Sequence, residues 1–282
     1  MEQLFKRELR SPREIRKMRA AGLIVWQAHQ AAARIAKPGV TTAELNQVYR
    51  DTFAGYGATP LFLNYGEPPF PAETCISVND EIVHGIPGPR ELEEGDVVSL
   101  DTGCRLSGWC GDAAVTLPIG DISAEKKKLL KITSQSLNVA FDAMQPGVMW
   151  SEVARQIQAF VEKAGFSVVE ELVGHGIGKN LHEPPQAPNY FSQAMIEEDA
   201  DFDLKPGVVL AIEPMVNVGV KEIVYLEDEW TVVTEDGKPS AHFEHTIAIA
   251  KDGPKRLTGP PSDEELELLP EWLHNKSEWV IW

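Results

Sequence analysis

Cysteine is scarce in these 282 residues: Cys75, Cys104 and Cys110 are an odd three, which excludes a disulfide framework and points to packing or reactivity instead. Positive charge is also short, with 26 Lys and Arg against 43 Asp and Glu, a net −17. Neutralising phosphates needs a basic face, so nucleic acid is not an expected partner. No apolar run is long enough to span a membrane, and the opening Met1-Glu2-Gln3-Leu4-Phe5-Lys6-Arg7 lacks an apolar signal region. A cytoplasmic protein with no membrane partner is expected. Several catalytic signatures are missing too. There is no HExxH, no serine or cysteine triad pattern, and no partner set that would make Cys104 and Cys110 a structural zinc site. Gly174-His175-Gly176-Ile177-Gly178 is no phosphate loop, because Pro184-Pro185 follows where a helix should begin.

What the chain does have is five metal-ligating side chains in an ordered series: Asp101, Asp112, His175, Glu213 and Glu244. Each carboxylate is read at the end of, or just before, an apolar strand-like run: Val97–Asp101, Asp112–Val115, Val208–Glu213 and Glu244–Ile249. Any one of them could simply turn to solvent. Four together, against interior strands, need a positive partner, since a buried unpaired charge is expensive.

An internal echo strengthens this reading. Lys37-Pro38-Gly39-Val40 recurs as Gln145-Pro146-Gly147-Val148, and Gly95-Asp96-Val97-Val98-Ser99-Leu100-Asp101 recurs as Gly207-Val208-Val209-Leu210-Ala211-Ile212-Glu213. Two halves of like order make Asp101 and Glu213 equivalent and predict a site on a pseudo-twofold axis between them. Carboxylates with one imidazole suit divalent Mn, Fe, Co or Zn, and four acids carry charge enough for two ions. Two ions about 3.5 Å apart can share a water, lower its pKa and clamp attacking and departing oxygens, so a dinuclear hydrolase is expected.

Longer stretches carry a specific resemblance. Cys75-Ile76-Ser77-Val78-Asn79, His84-Gly85-Ile86-Pro87, Gly111-Asp112, Gly174–Gly178, His182-Glu183-Pro184-Pro185, Ile212–Asn217, Trp230-Thr231-Val232 and Phe243-Glu244-His245-Thr246 are similar to the type I methionine aminopeptidases of the pita-bread fold. The likeness runs from about Ser11 to Ala250. It implies an α/β (α+β) fold of pseudo-twofold duplicated halves, with a curved antiparallel sheet inside outer helices. It further implies that Asp101, Asp112, His175, Glu213 and Glu244 bind two divalent ions (Co, Mn, Fe or Zn), with Asp112 and Glu244 bridging and Glu213 taking the proton of the attacking water. His84 would handle protons near the substrate amine or scissile amide, and His182 would hold the tetrahedral intermediate. Cys75, Tyr65, Phe70 and Trp230 would line a soft apolar methionine pocket. Asn79 and Ser240 match positions that hold a monovalent cation in relatives. The implied activity is removal of the N-terminal methionine from nascent proteins and peptides with a small second residue.

Some positions depart from the family pattern. Glu67-Pro68-Pro69 lengthens the Tyr65–Phe70 loop, Leu181 replaces a frequent aromatic, and Gly103 stands where Thr is common. Two other functions share this fold. An Xaa-Pro aminopeptidase or prolidase usually carries a large N-terminal domain that ten residues before Ser11 cannot supply. A non-catalytic binding protein of this fold would be expected to have lost ligands, and all five are present.

Ser11-Pro12-Arg13-Glu14 reads as a capping box opening a helix, Thr41 to Glu44 as a second, with later helices over about Ala124–Met144 and Ser151–Ala164. Residues 1–250 are expected to form the metallopeptidase domain, a monomer, and 251–282 an extension packed on it or on a partner subunit. That extension combines a capped acidic start, Ser262 to Glu267, with apolar Leu266, Leu268, Leu269, Trp272, Leu273, Trp279, Val280, Ile281 and Trp282. Lys6, Arg7, Arg10, Arg13, Arg16, Lys17 and Arg19 make the N-terminus basic. That is ordinarily a solvated helix face, with transient ribosome contact the sharper alternative.

Overall fold

A computed structural model describes residues 8–280. Helix α1, Pro12–Ile35, opens on a complete capping box: the Ser11 hydroxyl accepts from the Glu14 amide while the Glu14 carboxylate accepts from the Ser11 amide at 2.7 Å. Helix α2, Thr42–Tyr56, repeats the device with Thr41 and Glu44, and Gly57 ends it in the left-handed conformation at φ 63°. Helices α3, Ala124–Ala143, and α4, Trp150–Lys163, fill the same places in the second half.

The duplication is visible in backbone hydrogen bonds. Gly39 N–H donates to Leu92 O at 2.8 Å and Gly147 N–H to Leu204 O at 2.7 Å; Gly95 N–H donates to Ile119 O at 2.9 Å and Gly207 N–H to Ile249 O at 2.8 Å. The caps did not survive equally. Met149 stands where the first half has Thr41 and cannot cap, so the Asp201 carboxylate, from a distant loop, accepts the Ser151 amide at 2.9 Å.

Every strand pair is antiparallel. In the first half the long strands Val97–Leu106 and Trp109–Pro118 form a hairpin, flanked by Cys75–Val78 and Thr59–Pro60. In the second half the order is Gly253–Arg256, His245–Ala250, Val209–Ile212, Gly174–Gly176, Glu183–Ala187. The hairpin corrects one expectation: Asp101 and Asp112 lie within long strands, not at strand ends, because the Ser107-Gly108 turn lets pairing continue past both acids. Helix α1 lies directly on this hairpin. A Cβ on Gly111 would come within 2.6 Å of the Gly22 backbone nitrogen, so the contact requires glycine.

The halves join along residues 112–116 and 242–246. Glu244 N–H donates to Ala114 O at 2.9 Å at the centre. On one side Thr246 Oγ1 accepts from Asp112 N–H at 3.0 Å and donates to Asp112 O at 2.8 Å. On the other, Thr116 Oγ1 accepts from His242 N–H at 2.9 Å and donates to His242 O at 2.8 Å. The seam is therefore two-fold symmetric in its bonding, with Asp112 and His242 in equivalent places.

Residues after Ala250 run back against α1. Trp279 meets Trp26 edge-on with ring centroids 4.9 Å apart, and the Gln30 side chain exchanges two hydrogen bonds with the Val280 backbone, both 2.8 Å. Arg19 pairs with Glu265 at 2.8 Å and donates to the carbonyls of Leu257, Gly259 and Pro260. Leu266 and Leu273 are buried there, whereas Leu268, expected to pack with them, points to solvent. The basic N-terminal stretch is thinner than its sequence implied. Arg19 turns inward, and Arg10 is buried, paired with Glu183 and set over the Trp109 ring. Lys6, Arg7, Ile281 and Trp282 lie outside the described residues.

Candidate metal centre

Side chains at paired or alternate strand positions share a face of the sheet, which places Asp101, Gly103, Asp112 and Ala114 together. Gly103 faces Asp112, and a Cβ there would stand 2.9 Å from Asp112 Oδ1. Glycine at this position is thus the room in which the Asp112 carboxylate lies. The second half completes the cluster: His175 pairs with Ala211, Glu213 follows the strand Val209–Ile212, and Glu244 precedes His245–Ala250. Asp112, His175 and Glu244 each offer an atom within 4.8 Å of the others, and Glu213 Oε1 lies 3.5 Å from His175 Nε2.

Electrostatics show what this cluster suits. Burial, then the neighbouring carboxylates Asp112 and Glu213, push the Asp101 carboxyl well above its usual range. Glu213 is raised by burial and Asp112, and Glu244 by burial and the other three acids. Asp112 is pushed up to about 7 by burial. Asp101 Oδ1 and Asp112 Oδ1 are buried with no hydrogen-bond partner. Buried polar atoms nearly always have one, so these oxygens fit the ligation of a cation. Hard oxygens with one imidazole suit one or two divalent ions. His175 is held ready: burial lowers its pKa to about 3, leaving the neutral ring that ligates metal, while Nδ1 lies 2.9 Å from Gly176 O, which orients the ring.

Around the cluster stand the other residues singled out in the sequence. His84 is partly buried, at φ 60°, with its ring 6.0 Å from that of Trp230 and its pKa lowered to about 4 by burial and by His182. His182, at the cleft mouth, lies 4.2 Å ring to ring from His175. Phe70 packs edge-on against Trp230 at 5.2 Å, and buried Cys75 pairs with Asp101 across the strands. Tyr65 is exposed, on the outer rim of this wall. The extended Tyr65–Phe70 loop is held by Trp230, whose indole N–H donates to Pro68 O at 3.1 Å and whose ring covers Gly66. Leu181 is buried in the same apolar cluster as Cys75, Phe62 and Phe70.

Asn79 and Ser240 are adjacent: Ser240 N–H donates to Asn79 O at 2.9 Å. The Asn79 side chain is engaged elsewhere, donating to Asp96 at 2.7 Å and accepting from Lys126 at 2.8 Å.

One residue escaped the sequence reading. His242 is buried, both ring nitrogens lack a hydrogen-bond partner, and Nε2 stands 3.8 Å from Glu213 Oε2. A signal was present, since residues two apart on an extended chain share a face and His242 precedes Glu244 by two.

Comparison with known proteins agrees with this geometry. The chain is 47% identical over 249 residues to methionine aminopeptidase 1 of Bacillus subtilis strain 168, covering 88% of this chain and 98% of that protein. It is 43% identical to the methionine aminopeptidase of Clostridium perfringens, across 89% of this chain and 98% of the relative. The crystal structure of methionine aminopeptidase from Thermotoga maritima superposes with a TM-score of 0.85 at 39% identity, covering 90% of this chain and 99% of that one. The profile of metallopeptidase family M24 matches residues 16–251, and the chain belongs to that family.

Proposed function

We propose that this protein removes the N-terminal methionine from nascent proteins and peptides whose second residue is small. The observation that carries the reading is the buried cluster of four carboxylates and one imidazole beside an apolar wall of Cys75, Phe70 and Trp230, with Tyr65 at its rim. Asp101, Asp112, His175, Glu213 and Glu244 would hold two divalent ions, Co, Mn, Fe or Zn by their chemistry, with Asp112 and Glu244 the residues that would serve both. Such ions lower the pKa of water and neutralise charge developing on the scissile carbonyl.

The chain's own groups do the rest. The apolar wall takes the methionine side chain, where a thioether gains from aromatic contact. Glu213 accepts the proton of the attacking water as its oxygen adds to the carbonyl carbon. The proton then passes to the departing amine nitrogen as the C–N bond breaks. His84, beside Trp230, faces the substrate amine and scissile amide, and His182 donates to the oxygen of the tetrahedral intermediate. A second substrate residue must pass His182, which favours small side chains. Asn79 and Ser240 would hold a monovalent cation through main-chain oxygens, since the Asn79 side chain is engaged with Asp96 and Lys126. Residues 1–250 make the catalytic unit, working as a cytoplasmic monomer with transient access to the ribosome, and 251–282 an extension whose described residues lie on α1.

No helix among the described residues is long and apolar enough to cross a membrane, and the exposed Arg13, Arg16 and Lys17 remain for a ribosomal contact. The test is kcat/KM across a peptide series with Mn, Fe or Co present, because discrimination resides in transition-state fit. Met-Ala-Ser and Met-Gly-Met should be cleaved well, and Met-Glu and Met-Lys peptides poorly. Faster cleavage of Ala-Pro or Leu-Pro would make the enzyme a prolidase. No cleavage with both ions bound would make it a binding protein.

A further inference from the structure

We infer that His242 is a positioning residue of the metal centre, holding the Oε2 oxygen of Glu213 while His175 stands nearest Oε1. This rests on the metal centre proposed above. Three independent observations carry it.

The first is symmetry. The seam between the halves gives Asp112 and His242 the same backbone bonds, each clamped through N–H and C=O by one threonine hydroxyl, Thr246 for Asp112 and Thr116 for His242. Asp101 and Glu213 are likewise equivalent, each following the same run from Gly95 or Gly207. The duplicated backbone therefore sets His242 beside Glu213 as it sets Asp112 beside Asp101. The second is the state of the ring. His242 is 1% exposed, and neither ring nitrogen has a hydrogen-bond partner. An imidazole used only for packing normally satisfies at least one nitrogen when buried. Its buried neighbour His245 does so, with Nδ1 2.9 Å from the Thr258 hydroxyl. The third is direction and distance. Glu213 lies between two imidazoles, with Oε1 3.5 Å from His175 Nε2 and Oε2 3.8 Å from His242 Nε2.

A neutral imidazole carries one N–H, and closing that gap by less than an ångström makes it a donor to Glu213 Oε2. A carboxylate that gives one oxygen to a cation leaves its second oxygen in need of a fixed donor, and His242 Nε2 stands next to Glu213 Oε2. Partners of this kind set the orientation of a ligating carboxylate, and their loss typically costs about 10- to 100-fold in metal affinity or activity. The nearest carboxylate oxygen to His242 Nε2 is Glu213 Oε2 at 3.8 Å, so we assign it to act through Glu213 and not as a further ligand.

The test compares H242F, which fills the space without a donor, with H242Q, which keeps an N–H of similar reach. Each full-length protein is stripped, checked for folding by thermal melt, and titrated with Mn2+ by calorimetry and with Co2+ by visible absorption. H242F should weaken Mn2+ binding by about 10-fold or more and alter the Co2+ band, and H242Q should restore both. Should H242F not fold, H242A against H242Q reads the same contrast. Parental affinity and spectrum in H242F would overturn the inference. So would equal damage in both variants accompanied by a Co2+ spectrum that has lost a nitrogen donor, because His242 would then be a ligand. D112N serves as control: if it binds Mn2+ like the parent, the proposed centre itself is wrong, whatever His242 does.

Discussion

The Tyr65 hydroxyl and the Nδ1 of His182 lie 2.5 Å apart, joining two loops across the mouth of the cleft. The rings also meet edge-on, with centroids 5.3 Å apart. Tyr65 comes from the lengthened loop held under Trp230, so the insertion that seemed only to reshape the methionine pocket also touches a histidine of the proposed chemistry. A bond at Nδ1 orients the His182 ring, and with the Tyr65 hydroxyl as its donor the ring proton stands on Nε2, the nitrogen left to face the substrate. Y65F should therefore lower kcat on Met-Ala-Ser several-fold, the scale of one neutral hydrogen bond, with a smaller change in KM. A change confined to KM would return Tyr65 to the role of pocket wall.

Glu213 combines a ligand charge with the position of a base. E213Q should keep the fold and lose about 10²-fold or more in turnover, the usual scale for a positioned base. Turnover within a few-fold of the parent would remove Glu213 from the mechanism.

Asp112 serves the centre differently, since its carboxylate lies in the room left by Gly103 and within reach of both His175 and Glu244. D112N should lower the number of ions retained after purification, measured by elemental analysis, before any activity is read. Full retention of both ions would exclude Asp112 as a shared ligand.

The chain after Gly259 contributes the Trp279 contact with Trp26, the Gln30 bonds to Val280 and the Glu265 partner of Arg19. Each kcal/mol lost shifts the melting temperature by about 2–4 °C in a chain of this size, so truncation there should lower it by several degrees. Metal content should not change. An unaltered melting curve would mean that the extension adds nothing to stability.

His29 gives the acid limb of stability a named contributor. Its ring is buried between the Tyr49 hydroxyl at 2.8 Å and Ala113 O at 2.9 Å, and burial lowers its pKa from 6.5 to about 4. The unfolded chain takes up this proton near 6.5 and the folded chain only near 4, so stability from the neutral ring is complete above 6.5 and drains away as pH falls through that window. In H29Q the melting temperature should fall less between pH 7.5 and 5 than in the parent, starting from a lower value. Other buried imidazoles add to the same slope, which is reduced and not abolished. Parallel curves would show that His29 does not titrate on unfolding.

Much of this was legible in the chain itself. Ser11 with Glu14 and Thr41 with Glu44 announce two helix starts because a cap is a local device, complete within four residues. The repeat of Gly95–Asp101 as Gly207–Glu213 announced two halves, and the five metal-ligating residue types announced a divalent centre. Tertiary structure decided what depends on pairing. Strand register carried the hairpin past Asp101 and Asp112, because the Ser107-Gly108 turn is a short-range signal whose reach is set by the partner strand. Burial reassigned Arg10 and Arg19 from a basic surface to interior pairs, since a cationic side chain turns inward only when a distant carboxylate or carbonyl is there to meet it. His242 depended most on the fold. The sequence repeat aligns the halves along the chain, but only the seam, where Thr116 and Thr246 bond across the axis, sets a histidine opposite an aspartate and aims it at Glu213.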